Sequence, residues 1–289
     1  DTFLKLSPDL SQVKDYFTQY ISDYMGNNFP DDWDDDFGST APATIPGTTM
    51  ALVSGKMGYG YLVDMGNMGK IGNGADNVVQ KVRLTWRNTT TSCGAQESWV
   101  LETPVAWAGP DGTHVYVWAV QDYLRDYLLD TNGKFKAGTS PCFCSPWLVT
   151  GNSGPIDLPG DPPCALVNTQ GKVAGVSFSA GGALAVSSNG KAPGTGVLWA
   201  AYADPSSSYM GGDAAHYAQP GILAAYNATD VSRPIWMSTD NAARDAVGNW
   251  AKFAPPVVAN GKVYVGTFSS KSAVPYDSEL VVYGLLDAK

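Results

Sequence analysis

A pattern that recurs four times limits what this chain can fold into. It occupies residues 49–70 (TMALVSGKMGYGYLVDMGNMGK), 104–135 (PVAWAGPDGTHVYVWAVQDYLRDYLLDTNGKF) and 255–285 (PPVVANGKVYVGTFSSKSAVPYDSELVVYGL). A further copy is interrupted, running over 181–203 and resuming over 220–236. Each copy passes from an apolar strand through a Gly-containing turn into a strand of alternating character. The NGK and DGT turns suit tight hairpins, and alternation such as Lys262-Val263-Tyr264-Val265-Gly266 suits a half-buried strand. Antiparallel sheets in series, roughly 50–75 residues apart, argue for radial repetition rather than a sandwich. The sequence therefore predicts an all-β fold: a β-propeller segment spanning 1–289, with about four four-stranded blades starting near residues 49, 104, 181 and 255. Leu10, Val13, Phe17, Ile21 and Tyr24 fall at helical spacing and predict one short helix over 10–24. The rest of 1–30 reads as the end of a preceding blade. The inserts 139–170 and 204–219 are rich in Pro, Gly, Ser and Asp and read as loops.

Composition narrows the chemistry. Charged residues make up 16% of the chain, against a usual figure of about 25%, while apolar content is ordinary, which excludes disorder. A net charge of −9 with only 18 Lys and Arg speaks against a nucleic-acid or anionic-membrane surface. No run reaches the roughly 18 apolar residues of a spanning helix, so no membrane span is expected. Two histidines, His114 and His216, cannot build a multi-histidine metal site, and neither sits in a nucleophile motif. The four cysteines, Cys93, Cys142, Cys144 and Cys164, contain no CxxC pair and no CxxCH haem site. Their even number, the few lysines and the sequons at Asn88 and Asn227 fit a secreted or periplasmic setting. A Cys-x-Cys ring is too tight, so Cys142 and Cys144 are expected to pair outward with Cys93 and Cys164, in either order. Four buried free thiols are the alternative.

The repeats resemble those of the pyrroloquinoline quinone (PQQ) propeller family. AAYNATDVSRPIW, ending at Trp236, resembles that family's tryptophan-docking motif, with Asn227 in place of the usual Asp and one extra residue of spacing. DTFLKL at 1–6, WDDD at 33–36 and GKMGYGYLVD at 55–64 follow the order of quinoprotein alcohol dehydrogenases. GDAAHYAQPGILAAYNATD (212–230) and RDAVGNWAKFAPPVVANGKVYV (244–265) look closer to exported PQQ-like proteins of no settled activity. The resemblance implies that the catalytic Asp, its neighbouring calcium ligands and the adjacent-cysteine disulfide of the dehydrogenases would lie upstream of the part matched here. DTFLKL and ELVVYGL both resemble third strands, so joining them would not close a ring. About half of a seven- or eight-bladed propeller is expected, the remainder coming from the same parent chain or a second chain, because an open edge is an aggregation hazard.

Candidate sites follow from the residues and from this resemblance. Asp32, Asp34 and Asp36 alternate as oxygen ligands for Ca²⁺ do, but Phe37 intervenes before the Gly that a calcium loop wants; a solvated turn is the plainer reading. By the resemblance, Lys56 stands where a dehydrogenase cation reaches the quinone oxygens, in the turn after a blade's first strand. An ordinary turn lysine is the alternative, as Lys262 sits in a similar hairpin. His216, with Asp213 nearby, is either an exposed loop histidine or a channel-mouth ligand or proton shuttle. Arg244, Asp245, Asn249 and Lys252 either face a central channel or contain an Arg–Asp pair that ties blades together.

Two functions compete. One is part of a quinoprotein that oxidises alcohols or sugars with PQQ and Ca²⁺, taking a small-molecule substrate. The other is an exported, cofactor-free propeller acting as a binding or structural scaffold. A lectin-like carbohydrate binder comes third, resting on exposed aromatics alone.

Overall fold

Hairpin chemistry and strict two-residue alternation account for the architecture. The computed structural model describes residues 2–20, 37–85, 99–138, 162–174, 181–269 and 277–285. Four sheets follow one another along the chain, each with antiparallel pairing between neighbouring strands. Sheet I is β3 (Ala43–Thr44), β4 (Met50–Ser54), β5 (Tyr59–Asp64) and β7 (Gln80–Arg83). Sheet II is β8 (Val105–Ala108), β9 (Thr113–Trp118), β10 (Tyr123–Leu128) and β11 (Thr169–Ala174). Sheet III is β12 (Ala183–Ser187), β13 (Val197–Ala203), β14 (Gly221–Asn227) and β15 (Asp230–Met237), so the interrupted repeat closes as one sheet around its insert. In sheet IV, β16 (Asn249–Trp250) and β17 (Val257–Ala259) share one edge of β18 (Lys262–Phe268), and β19 (Ser278–Tyr283) takes the other. The α-helix among the described residues, α1 (Ala242–Asp245), is a single turn. The chain is all-β, with four four-stranded antiparallel sheets of the kind that make propeller blades.

Alternation decides which sheet touches which. On β4 and β5, Leu52 and Leu62 turn toward sheet II and join Val115, Val117 and Tyr127, while Val53, Tyr61 and Val63 turn the other way. On β9, Tyr116 and Trp118 face sheet III, where Leu198, Ala200, Tyr202, Ala224 and Tyr226 meet them. Ala201, Leu223 and Trp199 occupy the opposite face of sheet III and pack on Val263 and Val265 of sheet IV. Sheets II and III therefore each share one core with the sheet before and another with the sheet after, and sheet I packs its other face on Phe3 and Phe17 from residues 2–18. The first strands β3, β8, β12 and β17 neighbour one another in that order, as blades around a common axis do.

Three differences from the sequence reading have physical causes. Residues 13–18 form β2 (Val13–Thr18), not part of a helix; β2 pairs antiparallel with β1 (Thr2–Leu6) and parallel with β6 (Lys70–Ile71). The loop between β1 and β2 is held by Asp9, whose carboxylate accepts from the Ser7 and Ser11 hydroxyls at 2.6 and 2.9 Å, so turn chemistry overrode an accidental helical spacing. Sheet I begins at Ala43, ahead of the repeat recognised at 49, because a two-residue strand leaves no periodic signal. That makes β4 a second strand, and Lys56 follows the second strand, not the first.

Candidate functional site

Antiparallel pairing fixes which loops share an end of the stack. In sheets I to III, the turn between second and third strands emerges at the same end as the connection into the next sheet. This end collects the turn carrying Lys56, the segment 99–104, the β9–β10 turn, the insert 204–220 and residues 251–256 ahead of β17.

Lys56 lies in the turn Gly55-Lys56-Met57-Gly58, closed by a 3.0 Å bond from the Gly58 N–H to the Gly55 carbonyl. Its ammonium stands 5.2 Å from the centroid of the Trp99 ring, a cation–π contact of about 0.5–2 kcal/mol depending on desolvation. Segment 99–104 is stitched in on several sides. Val120 N–H donates to the Trp99 carbonyl at 3.0 Å, the Ser39 hydroxyl to the Val100 carbonyl at 2.8 Å, and the Ala41 N–H to the Thr103 hydroxyl at 3.0 Å. Next along it, Glu102 is 7% exposed and accepts a 2.9 Å bond from the Phe253 N–H. Burial drives its carboxyl up from the ordinary 4.5 to about 7, only partly offset by the Phe253 bond. Nearby, Leu101 packs with Ala203, Ala214 and Trp250. The Trp250 indole N–H is buried with no hydrogen-bond partner among the described residues.

The other sequence candidates separate. Asp32, Asp34 and Asp36 lie outside the described residues. Among those described, no group of three or more His, Cys, Asp or Glu side chains could hold a metal ion. The His216 ring is 72% exposed and its Nδ1 lies 2.8 Å from Asp213, whose carboxylate also accepts the Ala215 and His216 N–H groups. Burial pushes the Asp213 carboxyl up, but the His216 ring and the two backbone donors outweigh it and hold it low. Lys252 reaches the same insert, donating to the Ala215 carbonyl at 2.6 Å. Arg244 and Asp245 pair within α1 through two 2.6 Å bonds, and Asn249 belongs to the β16–β18 ladder. The four polar residues before the last sheet are therefore not one cluster. Cys164 is the one cysteine among the described residues and is not a free thiol. The expected pairing falls on Cys93, Cys142 and Cys144, outside them.

The chain matches no family model and no curated protein.

Sequence reasoning passed over one buried network. His114 is fully buried, with Nδ1 2.8 Å from Asp126 and Nε2 2.9 Å from Asp111. Asn168 Nδ2 and the Thr169 hydroxyl also donate to Asp126, at 2.7 and 3.2 Å. Trp107 and Tyr116 stack on the His114 ring. Burial works against the charged imidazolium, but the two carboxylates prevail and raise its pKa. The available signal was register: His114 shares a strand face with Tyr116 and Trp118, and a histidine facing a core needs carboxylate or carbonyl partners.

Proposed function

We propose that this chain supplies blades to a larger exported propeller that works as a binding and structural scaffold, its terminal sheets covered by further blades of the same parent chain or of a second chain. The observation that carries the reading is the pair of apolar faces at the two ends of the stack. On β1 and β2, Leu4, Leu6 and Val13 are 46%, 41% and 58% exposed. On sheet IV, Val257, Leu280 and Val282 are 57%, 66% and 46% exposed. Every internal sheet buries both of its faces, so a terminal face of this kind is one that a further blade would cover. Substituting Leu280 and Val282 by Lys should abolish assembly with the remaining blades while the four-sheet stack keeps its near-UV circular dichroism. Assembly that survives both substitutions would remove the reading.

A second reading, a PQQ-dependent oxidoreductase, draws on Lys56 beside Trp99 at the end of the stack where the connections converge. Lys56 suits one oxygen of a flat anionic quinone, and the Trp99 ring suits its face. PQQ, when bound, would supply the electron-accepting carbonyls for alcohol oxidation, and Lys56 would lower the energy of the more negative, reduced form. Among the described residues near this end, Arg83 donates to the Tyr59 hydroxyl at 3.1 Å, Arg125 is engaged with Asp122, and Lys252 donates to the Ala215 carbonyl, so the cations that a tricarboxylate would need already have partners within the protein. The test is dye reduction by simple alcohols with PQQ and Ca²⁺ supplied to the complete protein, repeated with Lys56→Ala. Loss of about 10²-fold in turnover supports this reading, and no PQQ binding leaves the scaffold.

A further inference from the structure

Away from the end that carries Lys56, a cleft of about 320 Å³ opens between sheets III and IV. One wall is aromatic: Trp199 on β13, Trp236 on β15 and Tyr283 on β19, with Val263 beside them. The other is the Arg244–Asp245 pair of α1. The Tyr283 hydroxyl donates to the Asp245 carbonyl at 2.9 Å, which fixes the helix against the aromatic wall.

We propose that this cleft binds a pyranose sugar. The chemistry on its two walls selects that class by elimination. A cationic ligand would meet the Arg244 guanidinium, and an anionic one the Asp245 carboxylate; the pair cancels its own charge and favours a neutral partner. A flat heteroaromatic ring needs parallel faces to stack on. Here the ring planes of Trp199 and Trp236 cross at 66° and those of Trp236 and Tyr283 at 71°, so Trp236 forms no parallel slot with either neighbouring ring. A chair-shaped sugar has an apolar C–H face for one indole and hydroxyls around its edge. Of Arg244's five N–H groups, two go to Asp245, which leaves three donors beside carboxylate lone pairs. Such a donor–acceptor couple matches adjacent hydroxyls, each of which both gives and takes a hydrogen bond. The volume lies at the low end of the roughly 300–1,000 Å³ of small-molecule sites, enough for one or two rings. The cleft lies between two packed sheets, so the proposal is independent of what covers the terminal faces.

The test is titration of the protein with hexoses, N-acetylhexosamines and their disaccharides, read by tryptophan fluorescence and ligand-observed NMR, alongside binding to immobilised glycans. Saturable binding of a free sugar is expected, with upfield ring-current shifts of its C–H protons and no response to the open-chain polyol sorbitol. Binding to immobilised glycans alone would identify the ligand as a terminal residue of a larger glycan and also supports the cleft. Arg244→Met, at a half-exposed side chain, should weaken binding about tenfold with the thermal midpoint unchanged. If that variant fails to fold, the ring-current shifts of the wild-type complex decide. No saturable binding in either format, or binding that Arg244→Met leaves intact, overturns the proposal.

Discussion

Two buried ionisable side chains make stability depend on pH in the same direction. Glu102 has a folded pKa of about 7 against an ordinary 4.5. A group whose pKa is raised on folding contributes stability that is full below its unfolded value and lost as pH climbs through the folded one. The chain should therefore lose stability between about pH 4.5 and 7 on this account, by up to about 3 kcal/mol at 1.36 kcal/mol per unit. Glu102→Gln should flatten that slope in urea titrations and leave the protein more stable at pH 8. An unchanged slope would mean that Glu102 is hydrated. His114, also raised, adds stability that is full below its ordinary 6.5 and is lost as pH rises through its higher folded value. His114→Ala strips a fully buried Asp126 of its cation and should cost about 3 kcal/mol, measured by denaturant unfolding at pH 6.

At the scale of elements, the turns were the most legible part. The NGK turn at 260–262 and the DGT turn at 111–113 sit between paired strands, β17–β18 and β8–β9. What escaped was structure without a periodic signal: the two-residue β3, and a β1–β2 hairpin whose loop is fixed by side-chain bonds to Asp9. Lys56 changed turns for that reason. The approach to β12 shows how close the sheets come. Gly181 has φ +90°, and a Cβ there would strike the Trp118 carbonyl; at Gly182 a Cβ would lie 2.5 Å from the Trp118 ring. Trp118 is 2% exposed and its indole N–H is held by the Asp122 carbonyl at 3.0 Å, so it has no room to move. Gly181→Ala should lower stability by about 2 kcal/mol or more through combined strain and overpacking, with a clear fall in melting temperature. A neutral result would mean that this strand approaches Trp118 more loosely.

At the scale of the molecule, the fold was readable because its period is short and repeated. Inward residues such as Leu52, Tyr116 and Leu223 obey a two-residue rule that any strand pattern exposes. The candidate sites were far less readable, since they depend on which loops converge. Nothing local relates Lys56 to Trp99, Glu102 to Phe253, or Arg244 to Tyr283; those relations exist only once four sheets are stacked. The cysteines belong to this scale too. Alkylation under non-reducing denaturation should find no free thiol, with Cys142 and Cys144 each bridged to Cys93 or Cys164, and four alkylated thiols would refute that pairing.

The central claim is that the stack ends on faces made to be covered. Sedimentation equilibrium of this 30.5 kDa chain across a wide concentration range tests it most directly. The account predicts a mass that rises with concentration as the Leu4–Val13 and Leu280–Val282 faces find cover, and a return toward the single-chain mass when Leu280 and Val282 are both replaced by Lys. A wild-type chain that remains a single 30.5 kDa species at every concentration would contradict it.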